Sequence, residues 1–151
     1  MCEYRHAVSS CLAGAILLGI AGVAMGSGAD ENQPPPSPEF IEGATILDAS
    51  SVIETAAVLE ELVVIDARIR GDRGHGYIDG SISLPDKETD CASLAPLIPY
   101  KNHPVLFYCN GPKCGRSARS SQIALACGYT RIFWFRGGIE EWMNEGFPLV
   151  H

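Results

Sequence analysis

Val105-Leu106-Phe107-Tyr108-Cys109-Asn110-Gly111-Pro112-Lys113-Cys114-Gly115-Arg116-Ser117 is the stretch on which the fold reading turns. Its first four residues are a continuous apolar run, the pattern of a strand covered on both faces. The run stops at Cys109, a Gly/Pro-broken loop follows, and a helix-patterned segment is predicted over Ser117–Ala126. A cysteine between a buried strand and a helix start is set among partial positive charges from backbone N–H groups. Lys113 and Arg116 add full charges. These groups favour thiolate over thiol, and they also suit an anion bound beside it.

Outward from this loop, apolar runs alternate with helix patterns. Strands are predicted at Thr45–Leu47, Leu62–Asp66, Ile82–Leu84, Val105–Tyr108 and Ile132–Phe135. Helices are predicted at Ser51–Glu60, briefly after Cys91, at Ser117–Ala126 and at Ile139–Asn144, with Ser50 or Ser51 capping the first and Gly128 ending the third. Right-handed crossovers turn this order into a small parallel α/β sheet whose active groups lie at strand C-terminal ends, where Asp66 and Cys109 fall.

The 151 residues hold one domain with a proper core, and 46% apolar against 19% charged residues is an ordinary globular composition. A net charge of −7 argues against nucleic acid as a partner. No Asp or Glu occurs between Asp90 and Glu140, whereas Lys101, Lys113, Arg116, Arg119, Arg131 and Arg136 do. Such a locally basic half suits a small anionic substrate.

Residues 1–29 read as a signal peptide. The run Cys11–Met25 is small and apolar, it is shorter than the roughly 18–20 residues of a spanning helix, and it ends in Ser27-Gly28-Ala29, a small-x-small cleavage pattern. An uncleaved anchor is the competing reading. Residues 30–39 form a polar, proline-rich linker with nothing to bury, and the domain is expected over residues 40–151. Export to a periplasmic or secreted location places Cys91, Cys109, Cys114 and Cys127 in an oxidising compartment, and spacing leaves their pairing open. Cys127 before Gly128 reads most simply as a buried small hydrophobe.

From about Thr45 to Val150 the chain resembles a single rhodanese domain, a sulfurtransferase module. The resemblance rests on Val64-Ile65-Asp66-Ala67-Arg68, on Gly76-Tyr77-Ile78-Asp79-Gly80-Ser81-Ile82-Ser83-Leu84-Pro85 (similar to the family's GHIPGAINIP, with Tyr77 for His), and on Phe107-Tyr108-Cys109 with Arg116-Ser117. Gly128-Tyr129 and Phe135-Arg136-Gly137-Gly138-Ile139-Glu140-Glu141-Trp142 through Gly146-Phe147-Pro148 complete it. It implies an α/β, rhodanese-like fold with a central parallel sheet of about five strands flanked by helices. It also implies sulfane-sulfur transfer through a persulfide on Cys109, from thiosulfate or a similar small anionic donor to cyanide or a thiol, with an unidentified protein acceptor as a further option.

The loop departs from the family pattern Cys-x-x-Gly-x-Arg: Cys109 to Arg116 spans eight positions and contains Cys114. Longer loops occur in cell-cycle dual-specificity phosphatases and some arsenate reductases, so phosphate or arsenate chemistry is one alternative. A non-enzymatic redox or sulfur-carrier module using Cys109 and Cys114 is another. Cys109 is the expected nucleophile, and Asn110, Gly111, Lys113, Gly115, Arg116 and Ser117 are the expected anion-binding groups. Cys114 is a bystander, a resolving thiol or a sulfur acceptor, with the stiff Gly111-Pro112 backbone favouring a bystander or tuning role. Asp66 and Arg68 are expected to form an ion pair in the site floor, Arg136 is a candidate to face the pocket, and Phe133, Trp134 and Trp142 read as core aromatics. His75 and His103 lack metal-site spacing, so neither metal nor cofactor is expected.

Overall fold

The computed structural model describes residues 35–151; the predicted signal peptide and the first part of the linker lie outside them. The elements run β1 (Ala44–Leu47), α1 (Ala49–Val58), β2 (Val63–Asp66), a 3-10 turn (Arg70–His75), β3 (Ile82–Ser83) and a second 3-10 turn (Asp86–Glu88). They continue with α2 (Cys91–Leu94), β4 (Val105–Tyr108), α3 (Arg116–Ala126), β5 (Ile132–Phe135) and α4 (Gly138–Asn144). The strands form one parallel five-stranded sheet in the order β1-β5-β4-β2-β3, as expected from the apolar runs.

β4 is the middle strand and all four of its residues are buried. Because side chains alternate along a strand, Val105 and Phe107 enter one core with Ile65, Leu94, Ile98, Ala124, Tyr129 and Ile132. Leu106 and Tyr108 enter the opposite core with Ala49, Val52, Phe135, Ile139 and Trp142. Each such apolar side chain contributes about 1.5–3 kcal/mol by leaving water. The central position therefore fixes the C-terminal end of β4, and with it Cys109. Asp66, Tyr108 and Phe135 stand side by side at that edge by register.

Local detail differs from the sequence reading in three places. The cap of α1 is Asp48, not Ser50 or Ser51; its carboxylate accepts the Ser51 N–H at 2.7 Å, and the helix starts at Ala49 and stops at Val58. Glu141 from α4 accepts the Ala49 N–H at 2.8 Å, a long-range contribution that no local pattern reveals. Cys127 is not a simple buried hydrophobe: it is bonded to Cys91 with a Cα–Cα distance of 5.5 Å, tying the start of α2 to the end of α3. Gly128 ends α3 as expected, with φ of 86°.

Candidate active site

Tyr108 and Cys109 leave the sheet over a buried polar floor. The Asp66 carboxylate accepts two bonds from the Arg68 guanidinium, at 2.9 and 2.7 Å, and one from Arg73 at 3.2 Å. It also accepts the Tyr108 hydroxyl at 2.9 Å. Burial, followed by the Asp66 charge, pushes the Tyr108 phenol up to about 12, so it stays a hydrogen-bond donor. Asp66 and Arg68 thus form the expected ion pair, buried and without contact to the loop sulfurs.

The loop itself is held from three sides. The Ile139 and Glu140 N–H groups at the start of α4 donate to the carbonyls of Cys109 and Asn110 at 3.0 and 2.8 Å. Gly138 must be glycine here, because its φ is 55° and a Cβ would stand 2.2 Å from the Cys109 carbonyl oxygen. Within the loop, the Cys114 N–H donates to Gly111 O at 2.9 Å, curling the chain through Pro112 and Lys113. The Gly111-Pro112 backbone therefore bends Cys114 back toward Cys109 instead of holding it away. Neither sulfur is in a disulfide, and the Cys109 thiol reaches the backbone carbonyl of Cys114.

The surroundings of the two sulfurs differ. Cys109 has no exposure, and its thiol donates to the Cys114 carbonyl at 2.8 Å. The indole N–H of Trp134 donates to the Ser117 hydroxyl at 2.9 Å, and that hydroxyl donates to the Cys109 sulfur at 3.2 Å. Burial, then the neighbouring Cys114, pushes the Cys109 thiol well above its ordinary value, and Ser117 opposes this only in part. Cys114 is 6% exposed. Its sulfur is pulled down to about 6, chiefly by the hydrogen bond from Cys109, with the backbone N–H groups of Arg116 and Asn110 and the Arg116 charge assisting against burial. The sequence reading placed the activated thiolate at Cys109. The same surroundings raise the Cys109 thiol and lower that of Cys114.

The remaining expected groups divide. Asn110 and Arg116 serve the sulfur through their N–H groups, while the Asn110 amide donates to Asp72 at 3.0 Å. The Arg116 guanidinium is buried and lies 3.9 Å from Asp86, so its arm reaches a neighbouring turn; Lys113 is exposed. The Gly115 N–H donates to Pro35 O at 2.8 Å, and Arg136 Nε donates to Pro38 O at 2.9 Å. Residues 35–38, expected within a linker that buries nothing, are thus seated on the loop and on β5. Arg136, Pro112, Ile46 and Glu140 help line an adjoining cleft of about 390 Å³. Trp134 and Asp86 went unrecognised in sequence. Trp134 occurs among apolar residues of β5, and only its register beside Phe107 indicates that its N–H meets the start of α3.

Residues 47–145 match the family model described as a rhodanese-like domain. The chain belongs to the rhodanese-like family. It is 29% identical over 108 residues to a sulfurtransferase of Allochromatium vinosum, covering 69% of this chain and 92% of that protein. It is 33% identical over 92 residues to the uncharacterised Escherichia coli protein YibN, covering 60% of this chain and 62% of YibN, so the match spans less than two thirds of that relative. Among solved structures, a thiosulfate sulfurtransferase from Pseudomonas aeruginosa superposes with a TM-score of 0.62 at 25% identity, over 72% of this chain and 20% of that one. A human single-domain sulfurtransferase shares the fold, with a TM-score of 0.56 at 22% identity, over 68% of this chain and 97% of that one.

Proposed function

We propose that the protein transfers sulfane sulfur from thiosulfate or a similar small anion to cyanide or a thiol, and that the attacking sulfur is Cys114. What supports this reading is the lowering of the Cys114 thiol to about 6 by the Cys109 side chain, the Arg116 and Asn110 backbone N–H groups and the Arg116 charge. A charged sulfur is the nucleophilic form, and the same N–H groups are suited to hold the persulfide formed on it. The thiolate attacks the outer sulfur of thiosulfate, the sulfur–sulfonate bond breaks, and sulfite leaves with the bonding pair. Cyanide or a thiolate then attacks the outer sulfur of the persulfide and restores the Cys114 thiolate. Cys109, the expected persulfide carrier, is the fully buried member of the pair and holds its proton, which it donates to the Cys114 carbonyl oxygen, so it does not compete with the attacking sulfur.

Sulfur chemistry is favoured over phosphoryl or arsenate chemistry by the match to the rhodanese-like family and to a relative named as a sulfurtransferase. Export through residues 1–29 belongs to the same reading, and the Cys91–Cys127 disulfide is in keeping with an oxidising compartment.

The test is thiosulfate–cyanide turnover by purified protein, with mass analysis for one added sulfur. Thiocyanate formation and an added sulfur mapped to Cys114 are expected. Loading mapped to Cys109 returns the nucleophile to the strand end, and hydrolysis of an aryl phosphate without sulfur transfer overturns the reading.

A further inference from the structure

The curled loop sets a second thiol against the first, an arrangement that simple sulfur transfer does not use. The Cys109 thiol donates to the backbone carbonyl of Cys114 at 2.8 Å, which brings the two residues together across the loop. Behind it, the Trp134 N–H and Ser117 hydroxyl form a chain of donors ending on the Cys109 sulfur. Such a chain stabilises negative charge on Cys109 at the moment its proton leaves. The burial that disfavours a resting Cys109 thiolate also keeps external thiols from it.

We propose that this pair gives the protein a second activity, the reduction of its own bound sulfane sulfur to sulfide with formation of a Cys109–Cys114 disulfide. The proposal rests on the sulfur-transfer reading, since the sulfur must first load onto Cys114. Cys109 then attacks the inner sulfur of the Cys114 persulfide. A Cys109–Cys114 bond forms, the bond between inner and outer sulfur breaks, and the outer sulfur leaves as hydrosulfide, carrying the proton that Cys109 gave up. The outer sulfur gains two electrons and the two cysteine sulfurs lose them. A dithiol reductant returns the pair to its starting state, so the acceptor class that suits this branch is a dithiol and not a single thiol. Cyanide competes with it by removing the outer sulfur first.

A single-turnover experiment on the full chain, with Cys109 and Cys114 reduced and one equivalent of thiosulfate added without cyanide, tests this. Sulfite and sulfide are expected in equal amounts. The protein is expected to end lighter by two hydrogens, with non-reducing peptide mapping showing Cys109 joined to Cys114. Cys109→Ser is expected to release sulfite more slowly, because Cys114 loses the neighbour that lowers it, and then to retain one added sulfur and produce no sulfide; Cys109→Ala gives the same endpoint should the serine variant fold poorly. Sulfite release with a stable added sulfur and no sulfide on the natural protein overturns the second activity and leaves sulfur transfer standing. A new disulfide that excludes Cys109 or Cys114 also overturns it. Absence of both sulfite and loading overturns the sulfur-transfer reading, and this proposal with it.

Discussion

Helix α3 has a cysteine pair near each end, and the two pairs are kept in opposite states. At its C-terminal end Cys127 is bonded to Cys91, across 36 positions of chain. Ahead of its N-terminal end Cys109 and Cys114 are both free and buried, with the Cys109 thiol on the Cys114 carbonyl. Proximity is common to both, so the difference lies in what surrounds the sulfur. Cys91 is exposed, and Cys127 is half-buried at the C-terminus of α3, where the partial negative charge of the carbonyls disfavours a thiolate. The other pair is buried at the opposite end of the same helix, where Ser117 donates to the Cys109 sulfur and nearby N–H groups help lower Cys114. One pair is placed to hold chain together and the other to react.

Exchanging each pair for serines separates these roles. Cys114→Ser is expected to lower sulfur loading by on the order of 100-fold or more, since a hydroxyl at its ordinary pKa is a far weaker nucleophile. Its thermal midpoint should stay near that of the natural protein. The double variant Cys91→Ser/Cys127→Ser is expected to lose about 2–4 kcal/mol of stability, from releasing a loop of that length in the unfolded chain. It should keep its turnover at temperatures where it remains folded. Equal losses of activity in both variants would erase the distinction between the pairs.

A pH series sharpens the comparison within the reactive pair. A thiol whose pKa is lowered is ionised above that value, so alkylation of Cys114 by iodoacetamide should rise through about pH 6 and then level off. Below the midpoint the rate should fall about tenfold per pH unit, following the thiolate fraction. Cys109, displaced the other way, should remain unmodified through this range, and mapping of the alkylated peptide checks it. The linkage to stability has opposite signs at the two sulfurs. The lowered Cys114 favours the folded state above the ordinary thiol value, and this contribution is lost as pH falls through about 6. The raised Cys109 disfavours the folded state in alkaline solution.

The sheet was legible because its signals are local. Val63–Asp66, Val105–Tyr108 and Ile132–Phe135 are apolar runs with turn residues between them, and burial on both faces is enough to select a parallel sheet. The position of the site followed from Cys109 ending the central strand. The proposed role of Cys114 was not legible, because it depends on a turn closing between Cys114 and Gly111 that composition does not encode. The Cys91–Cys127 bond was hidden for a similar reason: the two residues meet only once α2 is packed on α3. Trp134 acts through its register in β5, and a strand pattern reports its burial but not the partner of its N–H.

The smallest expected effect concerns the segment ahead of the domain. Gly115 has φ of −82° and ψ of 8°, a backbone that alanine adopts without strain. What alanine meets is external: its Cβ would stand 2.4 Å from the carbonyl oxygens of Pro35 and Pro36. Gly115→Ala should therefore displace residues 35 and 36 and lose the Gly115–Pro35 hydrogen bond, which contributes about 1 kcal/mol when intact. The segment keeps two other anchors, the Arg136–Pro38 bond at 2.9 Å and Ile41 packed against Ala118 and Trp134, so the folded domain should persist. Limited proteolysis should cut ahead of Pro38 faster in the variant, with a change in unfolding midpoint worth less than about 1 kcal/mol. Alkylation of Cys114, read in the same samples, shows whether the seated segment also limits access to the reactive pair: a faster rate in Gly115→Ala means that it does, and an unchanged rate means that Cys114 is reached from another side.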